Sequence, residues 1–434
     1  MCKLLRYLVF LAVTASGLAM TACGSTSTSE GELSPEIHVN TYTRYAQENP
    51  SIASLNDGGF LMTWESPSEF DDPIHGVFAQ RYNSNGDSVG EEFRVNTYTD
   101  KMGRNPSAAA LSDGGFVVAW QTNGVDGSGY GIYAQRFNIE GSQAGVKFQV
   151  HTNTLYDQEN PRVTLLNDGG FVVTWDNSEE FGEELWSDWS IYAQRFNAFG
   201  EQVGEEFQVN TNTNIAQGYP NVTALDDGGF VVAWESWRQN EGGPDIHAQR
   251  FSAYGEQVGG ELKVNSYTAG YQTSQSVTEM NDGGFIVTWM SSGRDGGYDS
   301  IYAQRFNVYG EREGLEFQVN TYTNNNHKSP SVTAMNDGGF MVTWQTYVQE
   351  GGWNIYAQCF NANGQKAGAE FRVNSYIDGY HESPKITSLI YGGIVIIWQA
   401  SDQGEDDWWG IYAQVLNKRA GQVGSSCEME ASAS

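Results

Sequence analysis

NDGGFIVTWM (Asn281–Met290) decides the fold, because the chain says it again and again. The phrase appears as LNDGGFLMTW (Leu55–Trp64), LSDGGFVVAW (Leu111–Trp120), LNDGGFVVTW (Leu166–Trp175), LDDGGFVVAW (Leu225–Trp234), MNDGGFIVTW (Met280–Trp289) and MNDGGFMVTW (Met335–Trp344). A worn seventh copy, LIYGGIVIIW, spans Leu389–Trp398. The run after the glycines is β-branched and aromatic and reads as a strand. Asp-Gly before it supplies the positive φ angles of a tight hairpin turn.

Two further phrases recur at the same spacing of about 55 residues. One is IYAQRF, as in Ile132–Phe137, Ile191–Phe196 and Ile301–Phe306; the other is EFxVNTYT, as in Glu92–Thr99 and Glu316–Thr323. Segments such as Pro220–Leu225 precede each turn and read as one more strand. Each repeat is therefore four antiparallel strands, and no stretch has useful helical periodicity. Four-stranded units in series are the signature of a β-propeller. A β-sandwich array is the alternative.

The ends favour a closed ring. The seventh repeat supplies three strands up to Asn417 but continues as GQVGSSC (Gly421–Cys427) instead of EFxVN. The chain opens with an unpartnered fourth strand, EIHVNTYT (Glu36–Thr43). Pairing the two completes the last blade and hides edges that would otherwise invite aggregation. The expectation is an all-β, seven-bladed β-propeller over residues 36–424, closed by its N-terminal strand, with residues 425–434 as a tail. On this reading the seven repeat tryptophans are inter-blade core, and the arginines of IYAQRF form repeated structural pairs.

The phrases DGGFVVTW, IYAQRFN and GxEFxVNTxT resemble repeats of large secreted and surface proteins of bacteria, many of which also carry RTX-type calcium-binding segments. The resemblance spans Glu36 to about Gly424 and implies little about function. The RTX nonapeptide itself is absent, so its calcium sites do not carry over.

Residues 1–22 read as an export signal: Lys3 and Arg6, then an apolar run from Tyr7 to Met20. Met20-Thr21-Ala22-Cys23 resembles a bacterial lipobox, with Met20 where Leu is usual. The resemblance implies a lipid on Cys23, and Gly24 after it implies sorting to the outer membrane. A plain secretory signal is the alternative. Residues 23–35 then form a polar tether.

The 434-residue chain carries a formal net charge of −30, which argues against a nucleic-acid partner and against docking on anionic lipid by charge. Of four cysteines, Cys359 and Cys427 remain in the exported body, and none has zinc-ligand spacing. An oxidising compartment lets these two pair, or leaves Cys359 buried and Cys427 loose.

Strand parity sorts the loops. The loops between second and third strands, and the connections between blades, share one face and differ in every repeat. Variable loops on a rigid frame usually carry function. All six tryptophans outside the repeat positions lie there: Trp186, Trp189, Trp237, Trp353, Trp408 and Trp409. Aromatic rings beside carboxylates suit a sugar's apolar face and its hydroxyls; a protein interface uses the same residue types, and rings folded down as loop plugs are the structural alternative. GVDGSGYG (Gly124–Gly131) and GRDGGYDS (Gly293–Ser300) offer Asp126, Asp295 and Asp299 as oxygen ligands for calcium, and no other cofactor is expected. His327 and His381 occupy a connector position that is Gln47, Gln158, Gln217 or Gln272 elsewhere; a metal shared with Glu382 is one reading, a polar connector the other. No GxSxG, HExxH or P-loop motif occurs. The expectation is a monomeric, non-enzymatic, outer-membrane lipoprotein that binds a glycan or a protein. A propeller hydrolase using loop carboxylates is the alternative.

Overall fold

A computed structural model describes residues 35–67, 75–96, 101–125, 127, 129–178, 189–237, 242–349, 351–401 and 408–416. Seven four-stranded antiparallel sheets form a seven-bladed β-propeller. In blade one the strands run Glu48–Ser54, Phe60–Pro67, His75–Tyr82 and Ser88–Arg94, from the axis outward. Blade seven takes its inner three strands from His381–Ser388, Ile394–Ala400 and Gly410–Leu416. Its outer strand comes from the N-terminus, with Ile37 opposite Ala413 and His38 opposite Tyr412. That strand is shorter than the segment read from sequence: regular pairing covers Ile37–His38, and Val39 N adds one bond to Ile411 O at 2.8 Å.

Seven apolar clusters lie between neighbouring blades, and each holds one repeat tryptophan. The cluster around Trp64 joins blade seven to blade one through Val39, Val395 and Ile411, so the core closes on itself as the sheets do. Every repeat tryptophan is at most 1% exposed. Burying a ring of this size withdraws about 150–250 Å2 from water, which makes these side chains the main adhesive between blades.

The constant residues of the repeat close backbone bonds. Gly58 N donates to Leu55 O and Leu55 N to Gly59 O, giving a turn whose single left-handed residue is Gly58, at φ 87°. The expected positive φ thus falls on the first glycine alone. The Asp57 side chain braces the turn: Oδ1 accepts from Gly59 N and Oδ2 pairs with Arg81 at 2.8 Å. The same pair recurs as Arg136–Asp113, Arg195–Asp168, Arg250–Asp227 and Arg305–Asp282. Cys359 replaces that arginine in blade six and is buried in the cluster between blades six and seven; Cys427 lies outside the described residues. The Asn of VN caps the third strand, as where Val77 N donates to Asn96 Oδ1 at 2.9 Å.

Candidate functional site

The variable loops open around the axis, and a pocket of about 330 Å3 lies there. Its walls come from the axial ends of blades one to four. Glu48, Asn49, Glu65 and His75 belong to blade one, Arg104, Asn105, Gln121 and Tyr130 to blade two, Glu159 and Asn160 to blade three, and Tyr219 to blade four.

The third residue of each inner strand, the second in blade one, builds the rim. Asn49, Asn105, Asn160, Tyr219, Ser274, Ser329 and Ser383 all have left-handed backbone, with φ between 49° and 58°. The ladder shifts register there in every blade, as between Glu48 and Ser51. Left-handed backbone at a bulky residue such as Tyr219 costs roughly 1–3 kcal/mol and persists only where neighbours impose it. The neighbour here is the residue after the repeat tryptophan of the preceding blade, which accepts the turned N–H. Gln399 accepts from Asn49, Glu65 from Asn105, Gln121 from Asn160, Asp176 from Tyr219, Glu235 from Ser274 and Gln345 from Ser383. Met290 holds the corresponding place in blade five and offers only a weakly accepting thioether.

Side chains extend this ring into a continuous network. Glu65 Oε1 also accepts from Asn49 Nδ2 at 2.6 Å. Asn105 Nδ2 donates to Gln121 Oε1 at 2.9 Å, and Gln121 Nε2 to Glu159 Oε1 at 3.2 Å. Asn160 Nδ2 donates to Asp176 Oδ2 at 2.8 Å. Burial raises the Glu65 carboxyl above its usual range, against the bonds from Asn105 and Asn49 and the charge of Arg104. Burial and the nearby Asp157 raise Glu159. Burial lifts Asp176 and Glu235 to about 7. His75 is lowered by burial and by Arg104.

No sequence motif marks these pocket residues as a group. For Glu65 and Gln121 a signal lies in the variation: the position after the repeat tryptophan is Glu, Gln, Asp, Glu, Met, Gln and Gln within an otherwise constant strand.

The tryptophans read as ligand-binding are spread around the same face. Trp408 is 51% exposed and meets Tyr45 edge-on, ring centres 5.5 Å apart. Trp353 is half-buried, packs on Tyr347 and has Lys328 Nζ 5.7 Å from its ring centre. Trp409, Trp237 and Trp189 are half-buried. Trp409 O accepts from Gln47 N, Trp237 N donates to Ala216 O, and Trp189 pairs with Ser178 in blade three. Trp186 lies outside the described residues, as do Cys23 and Asp126.

Asp295 ends the second strand of blade five opposite Tyr298, and Asp299 Oδ2 lies 3.6 Å from Lys328 Nζ. Among the described residues no three His, Cys, Asp or Glu side chains stand together as a metal site. His327 and His381 are fully buried connector residues. His327 spends its ring nitrogens on Thr346 Oγ1 and Tyr322 O, and His381 Nδ1 lies 3.2 Å from Trp353 O. Burial holds both at about 4.

Comparison with solved structures defines the class as a propeller. A protein of unknown function from Dyadobacter fermentans superposes with a TM-score of 0.53 at 11% identity, over 89% of this chain and 99% of that one. A fungal alcohol oxidase with copper gives 0.56 at 10% identity, over 89% and 76%. The polysaccharide lyase Uly1 gives 0.52 at 10% identity, over 86% and 89%. At such identities the likeness shows the fold alone. No family model matches this chain, and no curated protein matches it.

Proposed function

We propose that this chain is an exported, lipid-anchored propeller that binds a glycan over its variable face, with the axial pocket at the centre of the site. The pocket itself carries the reading: about 330 Å3, open at the axis, walled by carboxylates, amides, an arginine and two tyrosines. Such a wall bonds hydroxyls from many directions while the rings cover apolar sugar faces. Trp408 and Tyr45 add a second aromatic pair, their ring centres 5.5 Å apart. Uly1, by name a polysaccharide lyase, places glycan chemistry on a similar propeller and fits the reading coarsely.

A second reading rests on one observation. Glu65 and Glu159 share the pocket and both sit above the usual carboxylate range. A carboxyl group kept protonated and a second carboxylate nearby are what glycoside cleavage uses. Glycan-array screening of the purified protein, with and without calcium, separates the readings. Saturable binding without product supports the binder, turnover supports the hydrolase, and silence toward all glycans removes both. Anchoring has its own test: Cys23→Ser moves the protein out of the membrane fraction if Cys23 carries the lipid.

A further inference from the structure

The axial pocket holds three glutamates, Glu48, Glu65 and Glu159, against one arginine, Arg104. His75 adds no charge at neutral pH, because burial and Arg104 hold it below its usual value. The pocket is therefore an excess of carboxylate inside a chain of formal net charge −30. An anionic ligand meets repulsion there, and a neutral one leaves the carboxylates without a counter-charge.

Glu65 adds a second, independent observation. Its side chain is 4% exposed, yet it lines the pocket. Oε1 is fixed by two donors from two blades, Asn49 Nδ2 and Asn105 N. Oε2 has no hydrogen-bond donor among the described residues. Its nearest cationic candidate is His75 Nδ1 at 4.0 Å, itself buried without a partner. One carboxylate oxygen is thus oriented by the frame of two blades and left to face the pocket. Tyr130 and Tyr219 supply ring faces in the same wall, and aromatic faces attract cations as well as sugars.

We infer that the axial pocket selects a ligand carrying a protonated amine, specifically a glycan with unsubstituted amino sugars, through an ion pair with Glu65 Oε2. The inference rests on the glycan reading above and narrows it to a substrate class. The amine provides the missing donors at Oε2 and offsets the surplus negative charge, with Glu48 and Glu159 as neighbouring carboxylates. A cation at Glu65 favours its ionised form, so binding at mildly acidic pH releases a proton. The charged groups that set this titration are Glu48 and Arg104 on the inner strands of blades one and two, with the imidazole of His75, on the third strand of blade one, facing the same carboxyl. Affinity rises with pH as Glu65 ionises and falls again once the amine loses its own proton.

Calorimetry with the full exported chain tests this, using a glucosamine tetramer, its fully N-acetylated counterpart and a neutral glucose tetramer. The expected result is at least about tenfold tighter binding of the free-amine tetramer, a preference worth about 1.4 kcal/mol. Glu65→Gln keeps the acceptor for Asn49 and Asn105 and is expected to erase the preference. Glu159→Gln, in the same pocket, weakens it and guards against a folding failure in the first variant. Glu256→Gln, on an exposed turn of the opposite face, leaves it unchanged. Equal binding of the acetylated and free-amine tetramers overturns the inference and leaves the glycan reading standing. A preference that survives Glu65→Gln, or that Glu256→Gln reduces equally, is general attraction to an acidic protein and overturns it too. No binding of any tetramer overturns the inference together with the glycan reading for this sugar class.

Discussion

Glu36 accepts a hydrogen bond from the Ser375 hydroxyl at 2.8 Å, tying residues 339 positions apart. The contact is the last of a series in which an outer-strand glutamate holds the residue after the capping Asn, or after His151 in blade two, of the preceding blade. Glu92 holds Thr41, Glu206 Thr152, Glu261 Thr211, Glu316 Ser266 and Glu370 Thr321. Glu36 is thus the outer-strand glutamate of blade seven, delivered from the other end of the chain. Deleting residues 36–43 removes this clip, the strand paired to Tyr412 and Ala413, and Val39 from the core between blades seven and one. A lower melting temperature and self-association of the exposed edge are expected in thermal melts with light scattering. An unchanged melt and a monomer would falsify the closure.

His327→Gln is expected to stabilise the protein. Trp64 and Trp289 donate Nε1 to Gln47 and Gln272 Oε1, each at 3.1 Å. In blade six His327 takes the glutamine's place, and Trp344 Nε1 is buried with no partner. Glutamine there restores the acceptor, and its amide can still reach Tyr322 O as Gln217 reaches Asn212 O at 3.1 Å. A gain of about 1 kcal/mol is expected in chemical denaturation. A loss of stability would show that the bond to Thr346 outweighs the tryptophan's.

Acid should weaken the fold through its connector histidines. His327 and His381 are held at about 4 by burial, below the ordinary 6.5. The unfolded chain therefore binds protons that the folded chain refuses. The stability they contribute is complete above 6.5 and is lost as pH falls toward about 4. Asp176 has the opposite sign. Its carboxyl is raised by burial from 3.8 to about 7, so its contribution is present below 3.8 and lost as pH rises through about 7. Asp176→Asn should remove that loss. Between about pH 4 and about pH 8 the variant gains roughly 2–4 kcal/mol relative to the parent. Parallel denaturation curves for parent and variant across this range would exclude the assignment.

The aromatic pair on the variable face should matter for ligand and not for folding. Trp408 is half exposed, so Trp408→Ala removes little core. About a tenfold loss of glycan affinity is expected, alone or with Tyr45→Ala, with an unchanged melting temperature. Unfolding of the variant instead would mark Trp408 as a plug over the blade end.

The repeat made the fold legible because a propeller solves the same packing problem seven times. Trp, DGG and IYAQRF recur since each blade must turn, pair and bury its face in one way. The missing fourth strand at one end and the spare strand at the other foretold ring closure, since only their pairing leaves no edge. What sequence alone did not determine was the pocket. Glu48, Glu65, Arg104 and Glu159 lie up to 111 residues apart and come from three blades. Glu65 shows only as a variable residue after a repeat tryptophan, and Glu48, Arg104 and Glu159 are polar residues at the starts of strands. They become a site because the ring brings the axial ends of successive blades together, and because each turned N–H takes its acceptor from the blade before. Of the tryptophans outside the repeat positions, Trp408 alone among the described residues stands exposed, while Trp189 and Trp353 are half-buried within strands, because how far a ring folds down is set by the blade end it meets. A cluster at the axis exists only once all the blades have closed around it.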